Sequence, residues 1–443
     1  MCVFFLFIIV FSVPLHGQII TTIAGGATGH GGYWGDGGPA TAAEIGYFGS
    51  VAVDSKGNVY IGDANNHRIR KVDYATRIIT TVAGIGLAGF NGDSIPAMSA
   101  KLNYPGPIIF DKDDNLFFVD GNNFRIRRID VNSGIITTVA GNGIIGSTGD
   151  GGIATMASIS TGYIAFDNQG NLILVCSRKI RKVNSSGIIV TIAGTGLSGI
   201  TGEAVPAIST NLGAPRGISV DLHNNIYFGD STSAIRKIAH STGVLTRVAG
   251  TGDNIAMPYS GDGIPAVVCH LGTFGITVDD SGNIYNSDYA NSRIQKIDTS
   301  GIIRTICGTG VSGFSGDGGA ATDAQISYPE YVALDKCGNV YIADFNNRRV
   351  RKITYRECDY TSVQDAPVAQ KQIEITPSPA KSTITITLDS SIHTLAIYNL
   401  LGQVVLQRAG CGKPQQQIDV STLPPGVYIV RVNDVWTARL VKE

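Results

Sequence analysis

The feature that most restricts the fold of this chain is a sequence pattern that recurs six times. Its clearest copy, residues 51–84, contains four short apolar runs separated by turn residues. A period of about 53 to 59 residues, built from strands, predicts a propeller or a similar repeat array. The last run of each copy has the form IITTVAG, and its six versions end at Gly25, Gly84, Gly141, Gly194, Gly250 and Gly308.

Each copy begins with an apolar run that ends in aspartate and is followed by a turn. In the first copy Asp54 precedes Gly57-Asn58, and both Gly and Asn tolerate the positive φ of a tight hairpin. All four runs are short and rich in Val, Ile, Tyr and Thr, which is typical of strands. Four antiparallel strands make one propeller blade. The equivalent aspartates are Asp54, Asp111, Asp167, Asp221, Asp279 and Asp335.

The fourth run is out of phase with the other three. Its earliest copy, residues 19–25, precedes every other repeat element, whereas the last set of three ends at Ile353 with no fourth run after it. We predict that residues 19–25 pair with residues 349–353 and complete the sixth blade, because closure removes exposed strand edges. The predicted fold is therefore all-β, with a six-bladed β-propeller closed by the N-terminal strand.

The pattern Val-Asp-x-x-Gly-Asn-Val-Tyr-x-x-Asp-x-x-Asn-x-Arg-Ile-Arg-Lys resembles the NHL repeat. It is clearest at residues 54–71 and 335–352, and the resemblance covers residues 19–353. The resemblance implies a propeller fold. The family includes binding platforms and a few lyases, so the resemblance alone does not assign an activity.

The N-terminus and the charge balance predict an exported protein. Residues 2–15 are almost wholly apolar but too few to span a bilayer comfortably, so we interpret residues 1–17 as a signal peptide, with a membrane anchor as the alternative. No other long apolar run occurs, and no transmembrane segment is expected in the mature chain. A net charge of −1 argues against nucleic-acid binding. We assign residues 18–355 to the propeller, 356–372 to a linker and 373–443 to a second domain.

The C-terminal segment contains short alternating runs, such as residues 384–388 and 427–432, which predict a small β-sandwich. Residues 377–380, 397–405 and 418–428 resemble the type A C-terminal sorting domain of the type IX secretion system, although Ser378 stands where that family usually has Asn. The resemblance implies handling by that secretion machinery and a secreted or outer cell-surface location. An ordinary adhesive sandwich is the alternative.

A loop of roughly 24 residues precedes most first strands, and long loops of this kind are often functional. Each carries one acidic residue in a Gly-rich turn, followed in several copies by Pro and Ala residues that predict a helical turn. The acids either form a ring that binds cations or a basic partner, or bond N–H groups of their own turns. One acid per loop is too few for a calcium site. These loop acids are Asp36, Asp93, Asp150, Glu203, Asp262 and Asp317.

A second set of charged residues flanks one hairpin of each blade. An acid–arginine pair across the hairpin would stabilise it, and the alternative is a basic face for a polyanion. Blade three departs at Cys176-Ser177, where the acid is missing, and blade five has Gln295 in place of the arginine. The predicted structural pairs are Asp63 with Arg70, Asp120 with Arg127, Asp230 with Arg236, and Asp344 with Arg351.

No catalytic or metal-binding set is recognised in the sequence. The histidines occupy scattered positions without HxxH or HExxH spacing, and no CxxC occurs. Cys337 and Cys358 flank the last blade and are the candidate disulfide, since an exported protein can keep one. No cofactor is predicted, which leaves open a channel metal such as calcium.

These observations predict a secreted or cell-surface binding or scaffold protein. Its propeller loops would present the loop acids to an extracellular protein or glycan, and residues 373–443 would contact the type IX secretion machinery. The alternative is a metal-dependent hydrolase, lactonase or lyase that uses the central channel.

Overall fold

The computed structural model describes residues 18–26, 31–160, 162–253, 258–358, 360, 374–377, 379–387, 391–399, 403–410, 412–433 and 436–443. The chain divides into two compact units, residues 1–361 and 362–443. The signal peptide assigned to residues 1–17 lies outside the described residues, as does most of the linker assigned to residues 356–372.

The first unit consists of six antiparallel sheets, each with four main strands in sequential order, and the predicted six-bladed propeller is confirmed. We number the blades by their first strands. Blade one has strands Val51–Val53, Val59–Asp63, Arg68–Val72 and Ile79–Ala83. Blade two has Pro105–Phe110, Leu116–Asp120, Arg125–Ile129 and Ile135–Ala140. Blade three has Ile164–Phe166, Leu172–Cys176, Lys179–Val183 and Ile189–Ala193.

The last three blades repeat this plan. Blade four has strands Arg216–Val220, Ile226–Gly229, Ile235–Ile238 and Val244–Ala249. Blade five has Ile276–Val278, Ile284–Asp288, Arg293–Ile297 and Ile302–Cys307. Blade six has Pro329–Leu334, Val340–Asp344 and Arg349–Thr354, and its fourth strand is Ile19–Ala24.

The N-terminal strand closes the propeller. Ile19–Ala24 pairs antiparallel with Arg349–Thr354, with Ile20 opposite Ile353. Ile20 is completely buried between blades five and six. The predicted closure by residues 19–25 is therefore confirmed, and the Cys337–Cys358 disulfide ties the end of the last strand back to the same blade.

The turn after each first strand is fixed by its aspartate. Asp54 Oδ1 accepts the N–H groups of Lys56 and Asn58 at 3.0 and 2.8 Å, and Asn58 Nδ2 donates to Asp54 Oδ2 at 2.8 Å. Asn58 Oδ1 in turn accepts the N–H of Tyr74 at 3.0 Å, which joins this turn to the next one. The recurring Asp and Asn are thus explained by local hydrogen bonding.

The long loops cover the outer edges of the blades. Each loop crosses the fourth strand of the blade that follows it, and in blades two, four and five it forms a two-residue strand there. These strands are Ile95–Pro96, Val205–Pro206 and Ile264–Pro265. A buried alanine then begins a 3-10 helix, the helical turn that the sequence predicted. These helices are Ala40–Ala42, Ala97–Ser99, Ala154–Met156, Ala207–Ser209, Ala266–Val268 and Ala321–Asp323.

Two more 3-10 helices follow second strands, Ala64–Asn66 and Gly121–Asn123. Because the four strands of a blade alternate in direction, the turns after second strands and the long loops before first strands share one face of the propeller. We call it the loop face.

The second unit is a small β-sandwich, as predicted. One sheet contains Glu374–Thr376, Thr383–Thr387 and Gln415–Asp419. The other contains Val404–Ala409, Thr394–Tyr398, Gly426–Val432 and Trp436–Lys442. Apolar side chains from both sheets, among them Ile384, Ile418, Ile397 and Val430, form its buried core.

Candidate functional site

The loop acids are held by the blade over which their loops pass. Arg70 Nε donates to Asp36 Oδ1 at 2.8 Å, and the N–H of Thr81 donates to Asp36 Oδ2 at 3.1 Å. The arginine side chain is fully buried, whereas 38% of the aspartate side chain is exposed. The carboxylate therefore bonds to the third and fourth strands of the blade, and not to N–H groups of its own turn.

The same contact recurs around the propeller. Arginine–acid distances are 3.0 Å for Arg127 with Asp93, 2.7 Å for Arg181 with Asp150, 2.5 Å for Arg236 with Glu203, and 2.7 Å for Arg351 with Asp317. Blade five lacks the arginine, and there Asp262 accepts the N–H of Thr305 at 2.6 Å. Five of the six loop acids thus have their charge neutralised within the propeller, which weakens the case for a cation-binding ring.

In four blades the arginine also meets the acid at the end of the second strand. Arg70 lies 3.4 Å from Asp63, Arg127 lies 3.2 Å from Asp120, and Arg351 lies 3.7 Å from Asp344. Asp230 and Arg236 are likewise in direct contact. In blade three Arg181 instead donates to the carbonyl of Ser158, and in blade five Gln295 donates to Asp288 at 2.8 Å.

We call the acids at the ends of the second strands the inner acids. Burial has the largest effect on their pKa values. It raises the pKa of Asp63 and of Asp344 to about 6, although the neighbouring arginine acts in the opposite direction. It also raises the pKa of Asp288 to about 6. Each arginine joins an inner acid to a loop acid in four blades, which suits a structural network inside the scaffold.

The first strands surround a central cavity of about 310 Å³. Its lining is apolar except for Ser219, Thr277 and Tyr331. Ser219 accepts the N–H of Val278 at 3.1 Å, and Thr277 donates to the carbonyl of Val332 at 2.5 Å. No lining residue offers a carboxylate, imidazole or thiol, so this cavity does not supply the ligands that a divalent metal requires.

The repeat is broken where the first strands start, on the loop face. Two positions before the residue equivalent to Val51, blades one to three have Gly49, Gly106 and Gly162. At the same position, blades four to six have Arg216, Phe274 and Glu330. A cation, an aromatic ring and an acid thus face three glycines across the entrance to the cavity. We call this entrance the channel mouth.

Aromatic rings connect the blades at the channel mouth. The ring centroid of Tyr163 is 5.9 Å from that of Tyr331 and 6.4 Å from that of Phe274. Phe274 stacks on Tyr289 with centroids 5.1 Å apart, and the Arg216 guanidinium carbon lies 4.9 Å from the centroid of Phe274. We call Tyr163, Arg216, Phe274, Tyr289, Glu330 and Tyr331 the mouth cluster.

Glu330 and Arg216 are the charged members of the mouth cluster. Burial raises the pKa of Glu330 to about 7, although the positive charge of Arg216 acts to lower it. A Cβ atom on Gly49 would lie only 2.4 Å from Glu330 Oε2, so the glycine makes room for this carboxyl group. Within the described part of the chain, the side chains of Glu330 and Arg216 make no hydrogen bond or ion pair.

No member of the mouth cluster was predicted from the sequence. Histidines were the expected repeat-breaking residues, because they are common catalytic and metal-binding groups. The break in the repeat is nevertheless visible in the sequence, because an alignment of the six copies places Arg216, Phe274 and Glu330 where the other copies have glycine.

Six four-stranded blades around an apolar cavity define this protein as a six-bladed β-propeller. A model of the NHL repeat matches residues 49–72, and a model of the secretion system C-terminal sorting domain matches residues 374–442. The chain thus contains an NHL repeat in blade one and a C-terminal sorting domain. Such domains mark proteins that the type IX secretion system exports to the cell surface or the extracellular space, and this protein is exported there. None of the helices in the described residues has the length and apolar character needed to span a membrane.

Several known proteins are similar to part of this chain. The chain is 29% identical over 322 residues to the chloroplastic protein SUPPRESSOR OF QUENCHING 1 of Arabidopsis thaliana, which covers 69% of this chain and 30% of that protein. A Bacteroides thetaiotaomicron protein of unknown function has a TM-score of 0.54 at 20% identity, covering 75% of each chain. An auxiliary nutrient binding protein from the same species has a TM-score of 0.52 at 18% identity, covering 76% of each chain. This chain spans half or less of the length of the curated relatives.

Proposed function

We propose that this exported propeller is a binding protein and that its ligand, an extracellular protein or glycan, contacts the channel mouth. The observation that carries the proposal is the asymmetry of that site. Three consecutive blades replace glycine by Arg216, Phe274 and Glu330, although a residue that only serves the repeat would be the same in every blade. A concave aromatic surface with a few polar groups is the usual form of a binding site.

Two further observations support this location over the loop acids. The side chains of Arg216 and Glu330 make no hydrogen bond or ion pair in the described part of the chain, so a ligand could bond to both. Asp36 and its equivalents already bond to buried arginines such as Arg70. We therefore propose a structural role for the loop acids and a ligand-binding role for the mouth cluster.

The alternative function, metal-dependent hydrolysis or elimination in the central channel, finds no supporting donor set. The cavity contains the hydroxyls of Ser219, Thr277 and Tyr331 and no ligand of the type that holds catalytic metals in proteins. We derive no reaction step there. The likeness to a nutrient binding protein is a likeness of fold, and the ligand of that protein is not transferred to this chain.

A ligand screen by thermal unfolding tests the proposal. A ligand present at one hundred times its Kd stabilises a protein by about 2.7 kcal/mol, which is readily seen as a higher midpoint. We expect stabilisation of the mature wild-type chain by its ligand and loss of that effect in Phe274→Ala. Phe90→Ala is the matched control, because Phe90 also stacks under an arginine but lies in another loop. Equal stabilisation of all three proteins would contradict binding at the channel mouth.

A further inference from the structure

We propose that the ligand of the channel mouth is a carbohydrate with uncharged sugar rings, which pack on the row of aromatic rings from Phe274 to Tyr328 and bond through their hydroxyls to Arg216 and Glu330. The inference rests on the proposed function, since it names the ligand class of the same site. It follows from two properties of the mouth cluster: two charged side chains of opposite sign that make no hydrogen bond or ion pair within the described residues, and an aromatic surface beside them.

The first property is the unpaired state of the two charged side chains. Arg216 carries only donors, and an ionised Glu330 carries only acceptors. A ligand must therefore accept from one and donate to the other. A sugar hydroxyl does both, and vicinal hydroxyls present both functions a short distance apart.

The charge balance of the site excludes the simpler charged ligands. An anion would pair with Arg216 but would lie against Glu330, and a cation would meet the reverse conflict. Like charges held close together in a partly buried site oppose binding strongly. A ligand without net charge avoids the conflict, because Arg216 and Glu330 together carry none when Glu330 is ionised.

The second property is the aromatic surface. Phe274 and Tyr289 stack at 5.1 Å, and Tyr289 continues to Tyr328 at 4.9 Å. Tyr328 is 39% exposed, so this row of rings reaches the surface of the loop face. The apolar C–H face of a sugar ring covers such a surface, while its hydroxyls point sideways to polar groups. Tyrosine suits both parts of a sugar, since its ring has an apolar face and its hydroxyl group is polar.

A second stacked pair, Arg125 with Phe90, shows how an arginine on an aromatic ring is bonded when its role is structural. Arg125 lies 3.9 Å from the Phe90 centroid, but it also donates to the carbonyls of Asn123 and Asn142 at 2.9 and 3.1 Å. Its hydrogen bonds are thus made inside the propeller. Arg216 stacks on Phe274 in the same way, yet its donors have no partner in the described residues, which is the arrangement expected of a ligand contact.

The test is a binding assay with the mature full-length chain on an array of soluble oligosaccharides. The probes are neutral glucans, xylans, mannans and galactans together with uronate-containing chains, followed by titration calorimetry of each hit. We expect at least one neutral chain to bind. Phe274→Ala and Arg216→Met should each weaken that binding ten-fold or more, whereas Phe90→Ala should change it less than two-fold.

Conservative variants separate a loss of binding from a loss of folding if Phe274→Ala or Arg216→Met unfolds. Glu330→Gln and Arg216→Lys retain size and polarity, and each should still weaken binding several-fold with an unfolding midpoint no lower than that of the wild type. Binding that is equal in wild type and in these variants would overturn the inference. So would exclusive binding of uronate-containing chains, or no binding by any carbohydrate.

A peptide-display selection on the same protein separates failure of this inference from failure of the proposed function. Peptides that bind wild type but not Phe274→Ala would overturn the carbohydrate assignment and leave the channel mouth as the binding site. If neither oligosaccharides nor peptides distinguish wild type from Phe274→Ala, both proposals are wrong.

Discussion

Tyr163 of blade three and Tyr331 of blade six stack almost in parallel, with an interplanar angle of 9° and ring centroids 5.9 Å apart. Blades three and six stand opposite each other in a ring of six, so this contact crosses the central axis. Tyr331 also lines the apolar cavity, so this pair of rings lies where the channel mouth meets the cavity. A ligand at the channel mouth would contact these rings.

Removing one of these rings should destabilise the propeller. Tyr163→Ala deletes the contacts with Tyr331 and Phe274, and we expect the free energy of unfolding to fall by about 2 to 4 kcal/mol, measured by urea denaturation. Trp34→Ala is the control, because 78% of Trp34 is exposed, and its effect should stay below about 0.5 kcal/mol. Similar effects of the two substitutions would show that the stacking across the axis contributes little.

The arginine network makes a second prediction. Arg351→Met should lower the free energy of unfolding by about 3 to 5 kcal/mol, because it leaves Asp344 buried without its cation. Arg304→Met provides the comparison and should have little effect, since Arg304 pairs with Asp298 at 3.0 Å on the surface, where an ion pair contributes little to stability. Adding Asp344→Asn to Arg351→Met should restore part of the loss. An unchanged double variant would mean that the buried charge is not the cause.

Glu330 should make stability depend on pH. Its pKa is about 7 in the folded protein, compared with the ordinary value of 4.5, so the unfolded chain loses this proton first as the pH rises. Between about pH 4.5 and 7 the folded state binds more protons, and the Glu330 contribution therefore destabilises the protein progressively as the pH rises. Burial raises the pKa values of the neighbouring Tyr104, Tyr163 and Tyr289, which stay neutral in this range.

Glu330→Gln should remove that contribution. Its stability relative to wild type should rise across pH 4.5 to 7, by about 1 to 3 kcal/mol in denaturant titrations at each pH. Asp323→Asn, at the exposed end of a 3-10 helix, serves as the control for the loss of a surface carboxyl group. A stability difference for Glu330→Gln that does not vary with pH would contradict the raised pKa.

The N-terminal strand offers the most direct test of closure. Ile20→Asp places a carboxylate at a fully buried position between blades five and six, so we expect a loss of about 4 kcal/mol or more, with rapid proteolysis of the propeller. Ile19→Asp changes the adjacent residue, which is 38% exposed, and should cost less than about 1 kcal/mol. Equal sensitivity of the two variants to protease would argue against a sealed sixth blade.

The architecture could be predicted because it depends on patterns that recur. The six copies of the Asp-x-x-x-Asn turn and the one strand out of phase predicted the blade number and the pairing of Ile20 with Ile353. The C-terminal strands were recognisable from alternation and turn residues. The Cys337–Cys358 bond was suggested by position at the two ends of the last blade.

The contacts of the loop acids could not be predicted, since they depend on the path of a loop through space. Asp36 lies 34 residues before Arg70 in the chain, and they meet only because the loop crosses the outer strand of blade one. The mouth cluster was missed for a different reason. Tyr163, Phe274 and Glu330 come from three separate blades, and only the closed ring brings the starts of their first strands together.

The pairing of the first strand with the last blade also affects how the protein is made. A ribosome synthesises Ile19–Ala24 near the beginning of the chain and Arg349–Thr354 more than three hundred residues later. Throughout that interval the nascent polypeptide holds a strand without its partner. The ring of blades can close only after almost all of the propeller has been translated. A chain that ends in any earlier blade therefore leaves the N-terminal strand unpaired.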